Sequence, residues 1–140
     1  MKTEKVCVNL TPTELGQIDL LIERGLYDSR SDFMRTAARK QLEGYAADIQ
    51  QFLEPTNLQS DEKIGLMWSL GISGLTKSQI TELIAKGNKV HIRSIGLFTV
   101  SSKATVEEIH QVVDSCKVYG KLVANPEIKA ALQEIEESRN

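Results

Sequence analysis

Hydrophobic and polar side chains alternate over residues 5–10, near the start of the chain. The apolar set is Val6, Val8 and Leu10, and the polar set is Lys5, Cys7 and Asn9. A period of two is typical of a half-buried β-strand. From residue 12 onward the apolar positions recur every three or four residues, which is typical of an amphipathic helix. The pattern therefore predicts a short strand followed at once by a helix.

Local signals mark the ends of this helix and the start of a second one. Residues 11–14, Thr-Pro-Thr-Glu, combine an N-cap, a proline at the first helical position and a capping box. Gly25 lies where the first helix should end. Ser29 then opens a second capping box with Asp32. The predicted local order is strand, helix, turn, helix.

Residues 1–54 are too few to form a stable domain from one copy. The second helix is predicted to continue past Gly44 to about Leu53, where Glu54-Pro55 ends it. One strand and two helices of this size cannot bury enough apolar surface. Two copies can pair their strands and merge their helical faces into one core. We therefore expect residues 1–54 to form an intertwined homodimer. The polar residues 55–63 are the expected linker to the rest of the chain.

The N-terminal module resembles the ribbon-helix-helix family of DNA-binding proteins, the class that includes Arc-, MetJ- and CopG-type repressors. The resemblance lies in residues 6–10 before Thr11-Pro12, in Gly25 at the bend, and in residues 29–35 at the second helix. It implies that two chains pair their strands into an antiparallel ribbon that lies in the major groove of double-stranded DNA.

The outward side chains of such a ribbon have the chemistry of base readers. Lys5 can donate to guanine, Asn9 can bond adenine through two hydrogen bonds, and Cys7 can contact a thymine methyl group. The alternative is that all three are ordinary solvent-facing residues of a strand. With the whole module in view, we expect these three residues to read bases.

The start of the second helix is the expected contact with the DNA backbone. A capped helix N-terminus presents unpaired N–H groups and partial positive charge, which favour a phosphate. The expected phosphate contacts are Ser29, Arg30, Ser31 and Arg35. Ser29 and Ser31 could also serve as helix caps, and the two roles are compatible. Contacts of this kind fix the register of the protein on DNA and do not read its sequence.

Composition and charge limit the function classes. The chain has 17 Lys plus Arg against 19 Asp plus Glu, so it lacks the overall basic charge of many nucleic-acid binders. Positive residues of the module concentrate on the strand start and the second helix, which predicts a local basic patch. Cys7 and Cys116 make no disulfide framework, and no membrane span or secretory signal is evident. A cytoplasmic, nucleoid-associated protein is expected.

Residues 64–133 show a second pattern, a repeat aligned on glycines. Gly71, Gly96 and Gly120 are 25 and 24 residues apart, and each is followed by an apolar run and a helical stretch. Such a period is typical of short strand–helix repeats. The glycines are expected at bulges or close backbone approaches. The alternative is a non-repetitive α+β domain with the same strands in mixed order.

No catalytic, cofactor or metal site is predicted. His91, His110 and Cys116 are the tempting metal ligands, but they lack the short spacing of ligand motifs. No phosphate-binding loop, nucleophile elbow or pair of catalytic carboxylates is recognisable. Residues 134–140 are predicted to be a charged tail.

The predicted fold class is α+β, with a ribbon-helix-helix module over residues 1–54 and a small β/α domain over 64–133. The C-terminal half also resembles the repeated C-terminal segment of some CopG-like regulators. The predicted function is a dimeric, sequence-specific transcriptional regulator, most simply a repressor. Its C-terminal domain would provide oligomerisation or bind an effector or partner. Two alternatives are an antitoxin-type autoregulator with a protein partner and a DNA-anchored assembly or partition protein.

Overall fold

The computed structural model describes residues 3–53 and 63–139. These residues form helices and one three-stranded parallel sheet, so the mixed α+β class is confirmed. The elements in chain order are α1 (Pro12–Glu23), α2 (Arg30–Glu43), α3 (Ala46–Leu53), β1 (Ile64–Leu75), α4 (Lys77–Lys86), β2 (Lys89–Val100), α5 (Val106–Val112), β3 (Val113–Val123) and α6 (Pro126–Glu137).

The chain divides into two compact units, and their boundary falls within α3, between Ile49 and Gln50. The linker predicted over residues 55–63 lies outside the described residues, except for Lys63, which forms a turn. We call the two parts the N-terminal unit and the C-terminal unit.

The caps of α1 form as the sequence predicts. The Thr11 N–H donates to the Glu14 carboxylate at 2.8 Å, and the Glu14 N–H donates to the Thr11 hydroxyl at 3.3 Å. After α1 the chain turns at Gly25, whose φ of 78° is left-handed and favours glycine. The Leu26 N–H then closes the turn on the Leu21 carbonyl at 3.0 Å. These local bonds fix where the first helix begins and ends.

The cap of α2 differs in one contact from the predicted box. The Ser29 hydroxyl accepts from the Asp32 N–H at 3.1 Å, as a cap should. The Asp32 carboxylate, however, accepts from the Asp28 N–H at 3.1 Å, one residue before the cap. A capping box returns to the N–H of the cap residue itself, so this contact ties down the turn before the helix instead.

The prediction of one continuous helix through Gly44 is wrong. The helix α2 ends at Glu43 and α3 begins at Ala46. The Tyr45 N–H bonds the Leu42 carbonyl at 3.0 Å, three residues back instead of four, which tightens the last turn. In a helix interior glycine is about 1 kcal/mol less stable than alanine. This cost explains why the helical hydrogen bonding is interrupted at Gly44.

The strand predicted over residues 5–10 is not formed in the single chain. Residues 3–10 have no regular secondary structure, and no described strand pairs with them. Val6 is 81% exposed and Val8 is 57% exposed. A strand exists only through hydrogen bonds to a second strand, and the described part of one chain supplies none to this segment.

In the C-terminal unit, three parallel strands lie in the order β1, β2, β3, and a helix follows each strand. Gly71 pairs with Gly96, and Gly96 pairs with Gly120, so the three glycines form a row across the sheet. The strands extend on both sides of this row, further than the apolar runs that mark them in the sequence.

The sheet bends sharply along the glycine row. The three glycines have φ values of 113°, 124° and 119°, a region that L side chains rarely adopt. The hydroxyls of Ser69 and Ser73 are 2.6 Å apart, although four residues of straight strand span roughly 13 Å. A Cβ on Gly96 would overlap the Gly71 carbonyl oxygen. The expected close backbone approach is confirmed at Gly96 and Gly120.

The core lies on the inner side of this bend, between the sheet and the helices. Its fully buried members include Leu75, Ile80, Ile92, Phe98, Ile109, Val112 and Ile128. The helix α6 continues to Glu137, and Ile135 is buried in the core. Residues 134–137 of the predicted charged tail therefore belong to a packed helix, with Ile135 as their buried member.

Candidate nucleic-acid interface

The N-terminal unit leaves most of its apolar surface uncovered. Among residues 3–49, Ile18 alone is buried. An open groove of about 690 Å³ lies between α1 and α2, with Leu10, Leu21, Phe33 and Met34 in its walls. Such a small unit has too little surface to bury by itself. The apolar lining of this groove is suited to apolar side chains from a second copy of the segment over residues 5–10.

The predicted base-reading residues lie on the segment that leads into this groove. Lys5, Cys7 and Asn9 are all exposed. Val6 and Val8 are exposed as well, so the polar and apolar sets do not yet differ in burial. Only Leu10, at the end of the segment, is partly buried. The two faces of the segment would differ in burial only if it paired with a second strand and packed against the helices.

The predicted phosphate contacts lie around the N-terminus of α2. Ser29 caps the helix, and the Phe33 N–H bonds the Ser29 carbonyl at 3.0 Å. The N–H groups of Arg30 and Ser31 occupy the first helical positions, where no intrahelical acceptor exists. Arg35 is exposed and lies one turn after Ser31, on the same face of the helix.

Arg30 has a partner that the sequence did not indicate. Its guanidinium donates to both carboxylate oxygens of Asp19 on α1, at 2.9 and 2.8 Å. This hydrogen bonding lowers the pKa of Asp19 and raises the pKa of Arg30. Three of the five guanidinium donors remain outside the pair, so Arg30 can still bind a phosphate. No helical or strand spacing joins residues eleven positions apart, so sequence periodicity cannot find this pair.

The comparisons with known proteins decide the family. A family described as the ribbon-helix-helix transcriptional regulator family matches residues 1–129. The chain belongs to this family. The ribbon-helix-helix match covers strands β1–β3 as well as the N-terminal module, and it makes the chain a DNA-binding transcriptional regulator. No curated protein and no solved structure matches the chain.

A second polar cluster lies in the C-terminal unit, around the buried ring of His91. Its Nδ1 atom lies 2.7 Å from the Ser115 hydroxyl and 3.2 Å from the Asp114 carboxylate. Burial lowers the pKa of His91; Asp114 opposes this effect, and Arg139 and Arg93 add to it. In a catalytic triad the serine and the acid engage opposite ring nitrogens. Here both contacts are at one nitrogen, so the triad geometry is not present.

Cys116, the buried cysteine, lies in surroundings typical of a structural side chain. Cys116 is buried, and burial raises the pKa of its thiol to about 12, far from the range of a reactive thiolate. Within residues 3–53 and 63–139, no three His, Cys, Asp or Glu side chains are placed to hold a metal ion. No helix in the same part of the chain is long and apolar enough to cross a bilayer.

Proposed function

We infer that this ribbon-helix-helix regulator binds its operator as a dimer and represses transcription by occupying it. The observation that carries the dimer is the uncovered groove beside α1 and α2, together with the exposed valines at positions 6 and 8. A monomer would leave this apolar surface in water. Each Å² of apolar surface that a second copy covers contributes about 25 cal/mol to the stability of the dimer.

In the proposed dimer the two segments over residues 5–10 pair as an antiparallel ribbon. Val6, Val8 and Leu10 then point into the merged grooves of both copies, because alternate residues of a strand share a face. Lys5, Cys7 and Asn9 face away from the core in both strands. A two-stranded ribbon fits the major groove, where these side chains meet base edges.

The N-terminus of α2 holds the DNA backbone in this proposal. The N–H groups of Arg30 and Ser31 donate to a phosphate oxygen, and the remaining donors of Arg30 add charge. Arg35 extends the contact by one helical turn. The bond from Arg30 to Asp19 keeps the guanidinium beside the cap, so Arg30 is both a phosphate contact and a link to α1.

The C-terminal unit contributes association between dimers, so that adjacent operator sites fill cooperatively. An antitoxin segment that wraps a protein partner typically orders only on binding. The C-terminal unit instead has its own buried core around Ile92, Phe98 and Ile109. This core favours a folded association domain over a wrapping segment.

Fluorescence anisotropy with DNA from upstream of the protein's own gene, against scrambled DNA at two salt concentrations, tests the proposal. The upstream DNA should bind more tightly, and Asn9→Ala should lose about 1–3 kcal/mol of that preference for each contact. Lys5→Ala should also weaken binding to the upstream DNA. Lys103→Ala, on an exposed loop of the C-terminal unit, is the charge-matched control and should leave binding unchanged. Equal binding of both DNAs by the unaltered protein would contradict the proposed reading role.

A further inference from the structure

The outer edge of β1 has no pairing strand in the described part of the chain. Strand β1 pairs with β2 on one side, and no strand among residues 3–53 and 63–139 pairs with its other side. The twelve residues Ile64–Leu75 include no charged side chain. Trp68, Leu70 and Ile72 are 50%, 63% and 65% exposed. Free edges are normally short, charged or covered, because they otherwise pair with another chain.

The glycine row shows what kind of strand this edge would accept. A Cβ on Gly120 would overlap the Gly96 carbonyl oxygen, and a Cβ on Gly96 would overlap that of Gly71. Gly96 and Gly120 thus each pack against the carbonyl of the glycine in the preceding strand. Gly71 has the same left-handed conformation, but the corresponding position beside it is open space. The edge therefore has the shape of an internal repeat whose preceding strand is missing.

The same chain carries a strand suited to that position. Strand β3 pairs with β2, and its other edge has no partner among the described strands. Its Gly120 has the conformation and register of the other two glycines. Among the described strands, β1 therefore has no strand before it in the sheet and β3 has none after it.

We propose that β3 of one copy pairs in parallel with β1 of a second copy, with Gly120 opposite Gly71. The β/α repeat then continues from one copy to the next. In this register Lys117 lies beside Trp68, Tyr119 beside Leu70, and Lys121 beside Ile72.

Within one chain, cations lie beside aromatic rings on this face. Arg93 is the cross-strand neighbour of Trp68, with its guanidinium 5.4 Å from the centre of the Phe52 ring, and Lys117 lies 5.6 Å from the centre of the Tyr119 ring. The proposed pairing would place Lys117 beside Trp68 and cover Leu70 with an aromatic ring. In the single copy Trp68 and Leu70 are half exposed or more, and the Lys117 and Tyr119 side chains are 48% and 46% exposed.

A contact between two different edges is head-to-tail, so it can continue from copy to copy. Combined with the N-terminal dimer, it links dimers into a row, which would fill neighbouring operator sites cooperatively. This consequence on DNA rests on the proposed function, whereas the pairing itself does not. The pairing is therefore tested first without DNA.

Sedimentation of the full chain over a range of concentrations tests the proposal, with a charge placed on each edge. Leu70→Lys alters β1, Tyr119→Glu alters β3, and Thr99→Lys is the control on the same face of the central strand. We expect association beyond the dimer for the unaltered chain and the control. Each edge variant should weaken it about tenfold or more. The double variant should restore it, because the lysine introduced on β1 would then meet the glutamate introduced on β3 of the next copy.

Other outcomes overturn the proposal. An unaltered chain that stays dimeric at all concentrations shows that the edges do not pair. Loss of association in Leu70→Lys alone indicates that β1 pairs with another β1. Loss in both single variants without restoration in the double one excludes the glycine register. Binding to a single operator, measured in parallel, should stay unchanged in every variant, so a failure of DNA binding is distinguishable from a failure of pairing.

Discussion

The two units of this regulator differ in how much apolar surface each can bury within one chain. In the N-terminal unit Ile18 alone is buried among residues 3–49, and a groove of about 690 Å³ stands open. In the C-terminal unit the helices and the bent sheet enclose a continuous core that includes Phe98, Ile109 and Ile128. The N-terminal unit therefore leaves an apolar groove open, whereas the C-terminal unit encloses its own core and has two sheet edges without a partner among the described strands.

This difference explains where function is expected. If a second copy completes the N-terminal module, as proposed, DNA reading depends on dimer formation, because the ribbon and its outward side chains form together. A domain that is complete but has open edges can add association without changing the reader. Substitutions in the two units should therefore have separable effects.

The largest expected effect comes from placing a charge at Val8. In the single chain this side chain is 57% exposed, so a monomer would tolerate Val8→Asp. In the proposed dimer it buries two unpaired carboxylates, at a cost of several kcal/mol. We expect loss of the dimer and of operator binding, measured by sedimentation and anisotropy. Val123→Asp, 45% exposed in the C-terminal unit, should leave binding to a single operator unchanged.

A pair of glycine substitutions tests the C-terminal unit at the bend. Gly96→Ala combines a left-handed φ with a clash against the Gly71 carbonyl, so it should cost about 3 kcal/mol or more of unfolding free energy. In a single copy Gly71→Ala has the same backbone strain but open space beside it, so at concentrations too low for copies to associate it should cost about 1–2 kcal/mol. Urea unfolding followed through the single tryptophan, Trp68, measures both. Equal losses would argue against the close approach.

A smaller effect is expected on the pH dependence of stability. Because the pKa of His91 is lowered in the folded protein, the unfolded chain binds its proton first as the pH falls. Stability is then full above about pH 6.5 and is lost below it, by at most about 1.4 kcal/mol per pH unit. Unfolding of His91→Gln at pH 7 and pH 5.5 should show a weaker decline than the unaltered protein. An identical decline would mean that other groups cause it.

The smallest expected effect concerns Asp19. Asp19→Asn removes a negative charge beside Arg30 and one of the two acceptor oxygens, which leaves more guanidinium donors for phosphate. DNA affinity at low salt should rise about threefold, and the gain should shrink as salt is added. Glu23→Gln, which removes an exposed acid from the same helix, is the control. A drop in affinity would indicate that Arg30 serves DNA binding mainly through its bond to Asp19.

Local signals in the sequence predicted local structure well. The capping box of Thr11 and Glu14 forms, and Gly25 ends the first helix, because these bonds lie within a few residues. The spacing of Gly71, Gly96 and Gly120 equals the register shift between the strands, because each repeat adds one strand. The bend itself was not predicted, because a glycine in a strand permits a positive φ without requiring one.

The features that sequence reasoning missed depend on long-range or competing effects. The break after Glu43 reflects a cost of about 1 kcal/mol at Gly44, too small to outweigh the apolar stripe in a sequence reading. The bond between Arg30 and Asp19 depends on how α1 and α2 pack. The strand over residues 5–10 requires a second chain, so its prediction stays a prediction about the dimer.

Cys7 offers the most direct test of that dimer. Cys7 is the exposed cysteine, whereas Cys116 is buried with its pKa raised to about 12, so a thiol reagent should select Cys7. In an antiparallel ribbon centred on residue 7 or 8, the two Cys7 side chains lie about 5–8 Å apart. A bismaleimide that spans about 8 Å should therefore link two full-length chains.

The linked dimer should form at the dilute concentrations at which operator DNA is bound. It should be absent in Cys7→Ser and unchanged in Cys116→Ser. This result would place the two segments side by side, as the proposed ribbon requires. Modification of Cys7 on single chains without any linked dimer, at concentrations where operator DNA is saturated, would contradict the ribbon.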